Sequence, residues 1–189
     1  MNFVDKHYTQ TLEIKQSKFI AHLVPYSLYD KTLQELKELH TKARHFVTAY
    51  RYLNEFNQIV EHSSDDGEPK GTSGKPTLMV LQGSDMINTG IITVRYFGGT
   101  KLGTGGLVRA YSDATNLVLE TAILKEYKEE IFKEINFEYT NLRKIEYECL
   151  SCGVEIVEKV FDTSTRFKIK ADKKSMEEFI KRVERLVIL

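Results

Sequence analysis

The stretch Thr89-Gly90-Ile91-Ile92-Thr93-Val94-Arg95-Tyr96-Phe97-Gly98-Gly99-Thr100-Lys101-Leu102-Gly103-Thr104-Gly105-Gly106-Leu107-Val108-Arg109 decides how this chain is read. Residues 89–96 have the composition of a buried strand, with Ile91, Ile92, Val94 and Tyr96. From Leu107 to about Leu124 the apolar positions Leu107, Ala110, Tyr111, Ala114, Leu117, Val118 and Ala122 follow helical spacing. Between strand and helix lies a glycine loop. Arg95–Arg109 holds Arg95, Lys101 and Arg109, five glycines and no acid. Glycines let successive backbone N–H groups turn toward an anion, and a helix that opens there adds the positive end of its dipole. Phosphate binding is one reading. A tight strand-to-helix crossover, with glycines serving backbone geometry alone, is the other. Neither G-x-G-x-x-G nor G-x-x-x-x-G-K-[ST] is present. The three cations are what point toward an anionic ligand.

Upstream, Thr11–Gln16 and Lys18–Pro25 read as strands, Leu28–Lys42 as a helix with Asp30 at its start, and Phe46–Leu53 as a strand. Residues 54–76 show no apolar periodicity after Val60. Ser63-Ser64-Asp65-Asp66-Gly67-Glu68-Pro69-Lys70-Gly71-Thr72-Ser73-Gly74-Lys75-Pro76 is almost wholly turn formers, which predicts an exposed loop. Pro76 fits a first helical position, so Pro76–Gly83 reads as a short helix, with a strand over Leu78–Leu81 as the competing assignment. The carboxylates Asp65, Asp66 and Glu68 can hold Mg²⁺, act as acid and base, bond their own turn, or pair with the cationic glycine loop. His45 and His62 are the nearest histidines and read as packed or surface residues. The aromatics Tyr50, Tyr52, Tyr96, Phe97 and Tyr111 read mostly as core or edge.

Downstream the composition changes, and a boundary at 124/125 follows. Residues 125–138 read as one long strand, 140–152 as helix, 154–162 and 165–171 as a strand pair, and 173–187 as a final helix: a small α+β sandwich. The pattern predicts Phe161, Phe167 and Ile169 facing the helices, with Lys168 and Lys170 outward and no outward aromatics. Cys149 and Cys152 sit in a helix interior running into Gly153, which reads as structural thiols.

The 189 residues carry 27 basic and 27 acidic side chains, so net charge is zero. Charge balances in both halves, and any nucleic-acid contact must come from local charge placement. No apolar run approaches the ~20 residues a bilayer needs, and no signal-peptide core is visible, so no membrane role and a cytoplasmic location are expected.

The blocks Ala43-Arg44-His45, Ser64–Pro76, Val94–Gly99 and Leu102–Tyr111 resemble, in order and spacing, the YigZ/IMPACT family. The resemblance implies an α+β protein of two domains. Residues 1–124 would form an IMPACT domain with a β-α-β module like domain IV of elongation factor G. Residues 125–189 would form a ferredoxin-like domain like domain V of that factor. Eukaryotic members regulate translation through an extra N-terminal domain, which this chain is expected to lack. The expected function is therefore a non-enzymatic binding protein that contacts RNA, the ribosome or another translation component. Its expected nucleic-acid or phosphate contacts are Arg44, His45, Lys75, Arg95, Gly98, Gly99, Lys101, Gly103, Thr104, Gly105, Gly106 and Arg109. The alternative is an enzyme acting on a phosphorylated small molecule or nucleotide through the glycine loop, with Asp65, Asp66 or Glu68 on Mg²⁺. No cofactor is expected under the first reading.

Overall fold

Strand β6 (Thr89–Tyr96) forms over the residues expected and is buried along seven of its eight positions. It is the centre of a five-stranded antiparallel sheet, with β3 (Ser17–Pro25) and β4 (His45–Leu53) on its flanks. The edges are β2 (Tyr8–Ile14), paired to β3, and β5 (Ile59–Ser64), paired to β4. Helix α1 (Tyr29–Leu39) connects β3 to β4, which run parallel with β6 inserted between them, a split β-α-β unit. The β-α-β expected from the sequence is thus the inner part of a larger sheet.

Both sheet faces are covered, and alternate residues of the same strands serve the two sides. Phe19, Ala21, Leu23, Val47, Ala49 and Ile91 meet Leu81 of α2 (Gly74–Gly83) and Leu107, Ala110, Tyr111, Ala114 and Val118 of α3 (Gly103–Thr121). Val24, Ile92 and Val94 meet Tyr29 and Leu36 of α1. Burying alternating apolar rows at roughly 25 cal/mol per Å² is the main stabilisation such a sheet has.

The computed structural model describes residues 1–161 and 165–188. The chain folds as two compact units, Met1–Tyr127 and Lys128–Leu189. The expected boundary at 124/125 falls three residues earlier, because β7 (Lys125–Glu126) pairs with β1 (Asn2–Phe3) inside the first unit. The long strand expected over 125–138 is accordingly broken into β7 and β8 (Glu130–Phe137).

The second unit continues with α4 (Leu142–Cys152), β9 (Glu155–Phe161), β10 (Thr165–Asp172), α5 (Lys173–Val183) and β11 (Val187–Ile188). Its four strands lie in the order β11-β8-β10-β9, all antiparallel. The helix expected over 173–187 ends at Val183, and the chain turns into β11. The expected strand end at residue 162 lies outside the described residues. Phe167 and Ile169 face the helices, fully buried. Phe161 lies on that same face, opposite buried Thr165 and with its ring 6.3 Å from that of Phe167, but at the end of β9 it stays half exposed. The outward side also carries an aromatic, Phe132, with the Lys168 ammonium 5.7 Å from its ring centre. Cys149 and Cys152 are buried free thiols, and burial pushes the Cys149 thiol up to about 12. Gly153 closes α4 in the left-handed conformation, φ 68°.

Candidate phosphate-binding site

Strand register brings the two motif loops to one end of the first sheet. His45 at the start of β4 is opposite Arg95 near the end of β6, and Thr48 is opposite Ser64 at the end of β5. From that end residues 65–73 lead into α2 and residues 97–102 lead into α3.

The first loop is not the exposed turn its composition predicts. Glu68, Thr72 and Ser73 are buried. Turn-forming side chains can be buried when each polar atom finds a partner, and here they do. Oδ1 of Asp65 accepts from the Ser73 amide (3.1 Å), the Ser73 hydroxyl (2.7 Å) and the Gly74 amide (2.8 Å), while Oδ2 accepts from the Gly71 amide (2.7 Å). Partial burial acts to raise the Asp65 pKa, but these donors outweigh it and hold the carboxyl below its ordinary value. Asp65 thereby caps α2 from eight residues upstream of Ser73. Gly74 is required there, since a Cβ would sit 2.7 Å from the Ser64 carbonyl carbon. Asp66 accepts from the Phe46 amide through Oδ2 (2.6 Å), and its carbonyl meets His45 Nδ1 at 2.8 Å.

Glu68 is the centre of the site. Its Oε1 accepts from Arg95 Nη1 at 2.5 Å and from the Tyr111 hydroxyl at 2.8 Å, with His45 Nε2 4.0 Å away. Burial, and then the charge of Glu68, hold the Tyr111 phenol far above its ordinary value, so it stays protonated and donates. Arg95 is only 6% exposed. It lies between the rings of Phe19 (5.3 Å) and Phe97 (5.8 Å). The acidic and glycine-bearing loops are thus tied together, and Arg95 is an internal cation rather than an exposed contact. Sequence reasoning placed Tyr111 in the core and missed its role. Its position on the inner face of α3 was legible, but its partner, 43 residues away in a polar loop, was not.

The glycines divide by function. A Cβ on Gly98 would lie 2.0 Å from the Gln16 carbonyl carbon, so this glycine permits the loop to cross the β2–β3 turn, and its amide donates to the Ser17 hydroxyl at 3.1 Å. Gly99 and Gly103 take positive φ, 87° and 73°. Gly105 is different. It has an ordinary φ, a Cβ there would meet nothing within 4 Å, and it lies exposed in the first turn of α3 beside Thr104 and Gly106. That turn has neither an acidic residue nor a side-chain cap, so its amides are open to an anion. Arg44, Lys75, Lys101 and Arg109 are exposed, and none makes an ion pair among the described residues. Among those residues, too, no group of three or more His, Cys, Asp or Glu side chains is placed to hold a metal ion. Asp65, Asp66 and Glu68 are each turned to a different protein partner.

Residues 15–119 match the family model for the Impact N-terminal domain. The chain belongs to the IMPACT family. An IMPACT family member of Haemophilus influenzae is 35% identical over 88% of this chain and 82% of its own. The member YvyE of Bacillus subtilis is 34% identical over 88% of this chain and 77% of its own. Among solved structures, the crystal structure of a hypothetical protein covers 97% of this chain and 91% of its own, at 28% identity and a TM-score of 0.67. That likeness shows a shared α+β fold along nearly the whole chain. Protein IMPACT of Xenopus laevis is 31% identical over 59% of this chain, though the match spans only 37% of that longer protein. Among the described residues of this family member, no helix is long and apolar enough to cross a membrane.

Proposed function

We propose that this chain is a cytoplasmic, non-enzymatic binding protein that takes RNA, or an RNA-bearing translation component, at the loop end of its first unit. The observation that carries this reading is the exposed cations Arg44, Lys75, Lys101 and Arg109, without ion pairs among the described residues, on the segments that run from the loop end of the first sheet, where the first turn of α3 is open. In a chain of zero net charge the general field attracts no polyanion. Cations left without carboxylate partners around glycine amides supply a local one. Family membership supports a translation-related partner, and the likeness to elongation factor G domains IV and V that the family resemblance implies would add an analogy. Asp65, Asp66 and Glu68 serve the loop's own structure in this reading, which gives them no catalytic task.

Filter binding of a structured RNA across a salt series tests it. Four phosphate contacts predict a log–log slope of roughly three, since each contact contributes about 0.7 to 0.9. Lys75→Glu combined with Lys101→Glu should flatten the slope and weaken binding. If the wild-type protein retains no RNA even at low salt, the reading is wrong.

A further inference from the structure

We propose that the free edge of the Arg95 guanidinium, Nε together with Nη2, is an oxyanion subsite that takes one phosphate group. The inference deepens the RNA-binding reading above and rests on it for the source of the phosphate. Arg95 uses Nη1 for Glu68. Its Nε is buried and finds no acceptor among the described residues. A buried donor without an acceptor is costly, so proteins rarely keep one idle. Nε and Nη2 form the edge of the guanidinium to which Nη1, the donor to Glu68, does not belong. Their two parallel N–H groups form the fork that grips a carboxylate or phosphate bidentately.

The surroundings suit a single tetrahedral anion. Phe19, fully buried, packs on the guanidinium and fixes it; Phe97, 46% exposed, lies on it from the start of the glycine loop, at the solvent boundary. Glu68 holds the other edge, with Tyr111 and the buried loop holding Glu68 in turn. The fork is therefore preorganised before any ligand arrives. Arg95 stands just ahead of the loop that leads to the open amides of Gly103–Gly106. A phosphate on the fork would be the fixed point from which the rest of a polyanion reaches the exposed cations.

The test follows the Arg95 Nε–H resonance in ¹H–¹⁵N spectra of the full-length protein, titrated separately with a structured RNA and with inorganic phosphate, and with chloride at matched ionic strength as control. The expected result is a saturable shift of that resonance with RNA, absent with chloride. In Arg95→Lys, which keeps the charge and loses the fork, RNA affinity should fall about tenfold. If RNA binds while the resonance stays still, the subsite is refuted and RNA is held by the exposed cations alone. A shift with inorganic phosphate and no binding of RNA retains the subsite for small phosphates and refutes the RNA reading. Failure of both ligands refutes both. Should Arg95→Lys not fold, the wild-type resonance still decides.

Discussion

The Tyr111 hydroxyl donates to Glu68 Oε1 across 2.8 Å of the protein interior, joining the third turn of α3 to a loop 43 residues earlier. The bond is buried and has a charged acceptor, the situation in which a hydrogen bond contributes about 1.5–3 kcal/mol. Tyr111→Phe removes only the oxygen and leaves the ring against Phe19, where the two meet edge-to-face at 5.1 Å. Its unfolding free energy should therefore drop by about 2 kcal/mol in urea titrations, with an unchanged m-value. A loss under about 0.5 kcal/mol would show that Glu68 is satisfied by Arg95 alone.

Glycines of one loop should respond in opposite ways. Gly98→Ala drives a methyl into the Gln16 backbone and should cost about 3 kcal/mol, since backbone cannot step aside as a side chain does. Gly105→Ala meets nothing and sits in a helix, so it should be neutral or stabilising by up to about 1 kcal/mol. Its effect should fall on RNA instead, with affinity reduced about tenfold, or ~1.4 kcal/mol, because the methyl shields the amides of the first turn. Thermal melts and filter binding on the two variants separate the structural glycine from the binding one.

How far the sequence discloses this arrangement depends on where each signal resides. Strand β6 was legible because its apolar residues are contiguous, and the family blocks lie on either side of it. Strand β5 was not: Glu61, His62, Ser63 and Ser64 lack apolar alternation, and edge position with a solvent-facing side lets polar residues occupy a ladder. Helix α3 begins at Gly103 rather than Leu107: Gly103 itself enters at φ 73°, and Gly105 and Gly106, which look like loop, continue in the helix because the following turns are packed. The candidate site divides the same way. The exposed cations were legible as charges in the sequence. The burial of Arg95 was not, because it depends on Glu68 arriving from another loop, a pairing that no local pattern encodes.

Acid should weaken the protein through His22 before most carboxylates titrate. His22 is buried on β3, meets His7 (Nε2 of His7 to Nδ1 of His22, 2.9 Å), and lies 6.4 Å ring to ring from His40. Burial first, then the neighbouring His7 and His40, push its pKa down to about 4 from the ordinary 6.5. The unfolded chain therefore binds a proton that the folded one refuses. Stability from this group is intact above about pH 6.5, declines as pH falls toward 4, and has dropped by at most about 3 kcal/mol below that. Urea midpoints at roughly pH 7.5, 6, 5 and 4.5 should show the decline, and His22→Gln should flatten the part of it above about pH 5. Parallel curves for the two proteins would rule out His22 as the cause.

The second unit should be dispensable for the proposed RNA contact. Its outward sheet surface offers Arg166, Lys168 and Lys170, but Lys170 is held between Glu130 (3.2 Å) and Glu155 (3.1 Å). Glu134 stands directly across the ladder from Lys168, as does Glu158 on the other side. A surface on which each lysine faces two acids has little net field for a phosphate chain. Phe132 is one outward ring, whereas base-stacking sheets use two or three aromatics together. The first unit, by contrast, has its own two-sided core and the exposed cations Arg44, Lys75, Lys101 and Arg109, which make no ion pair among the described residues. A fragment of residues 1–127, which keeps β7 for its pairing with β1, should fold by circular dichroism. It should also bind structured RNA within about tenfold of the full chain, or ~1.4 kcal/mol. A folded fragment that binds about a hundredfold more weakly would place the principal contact in residues 128–189.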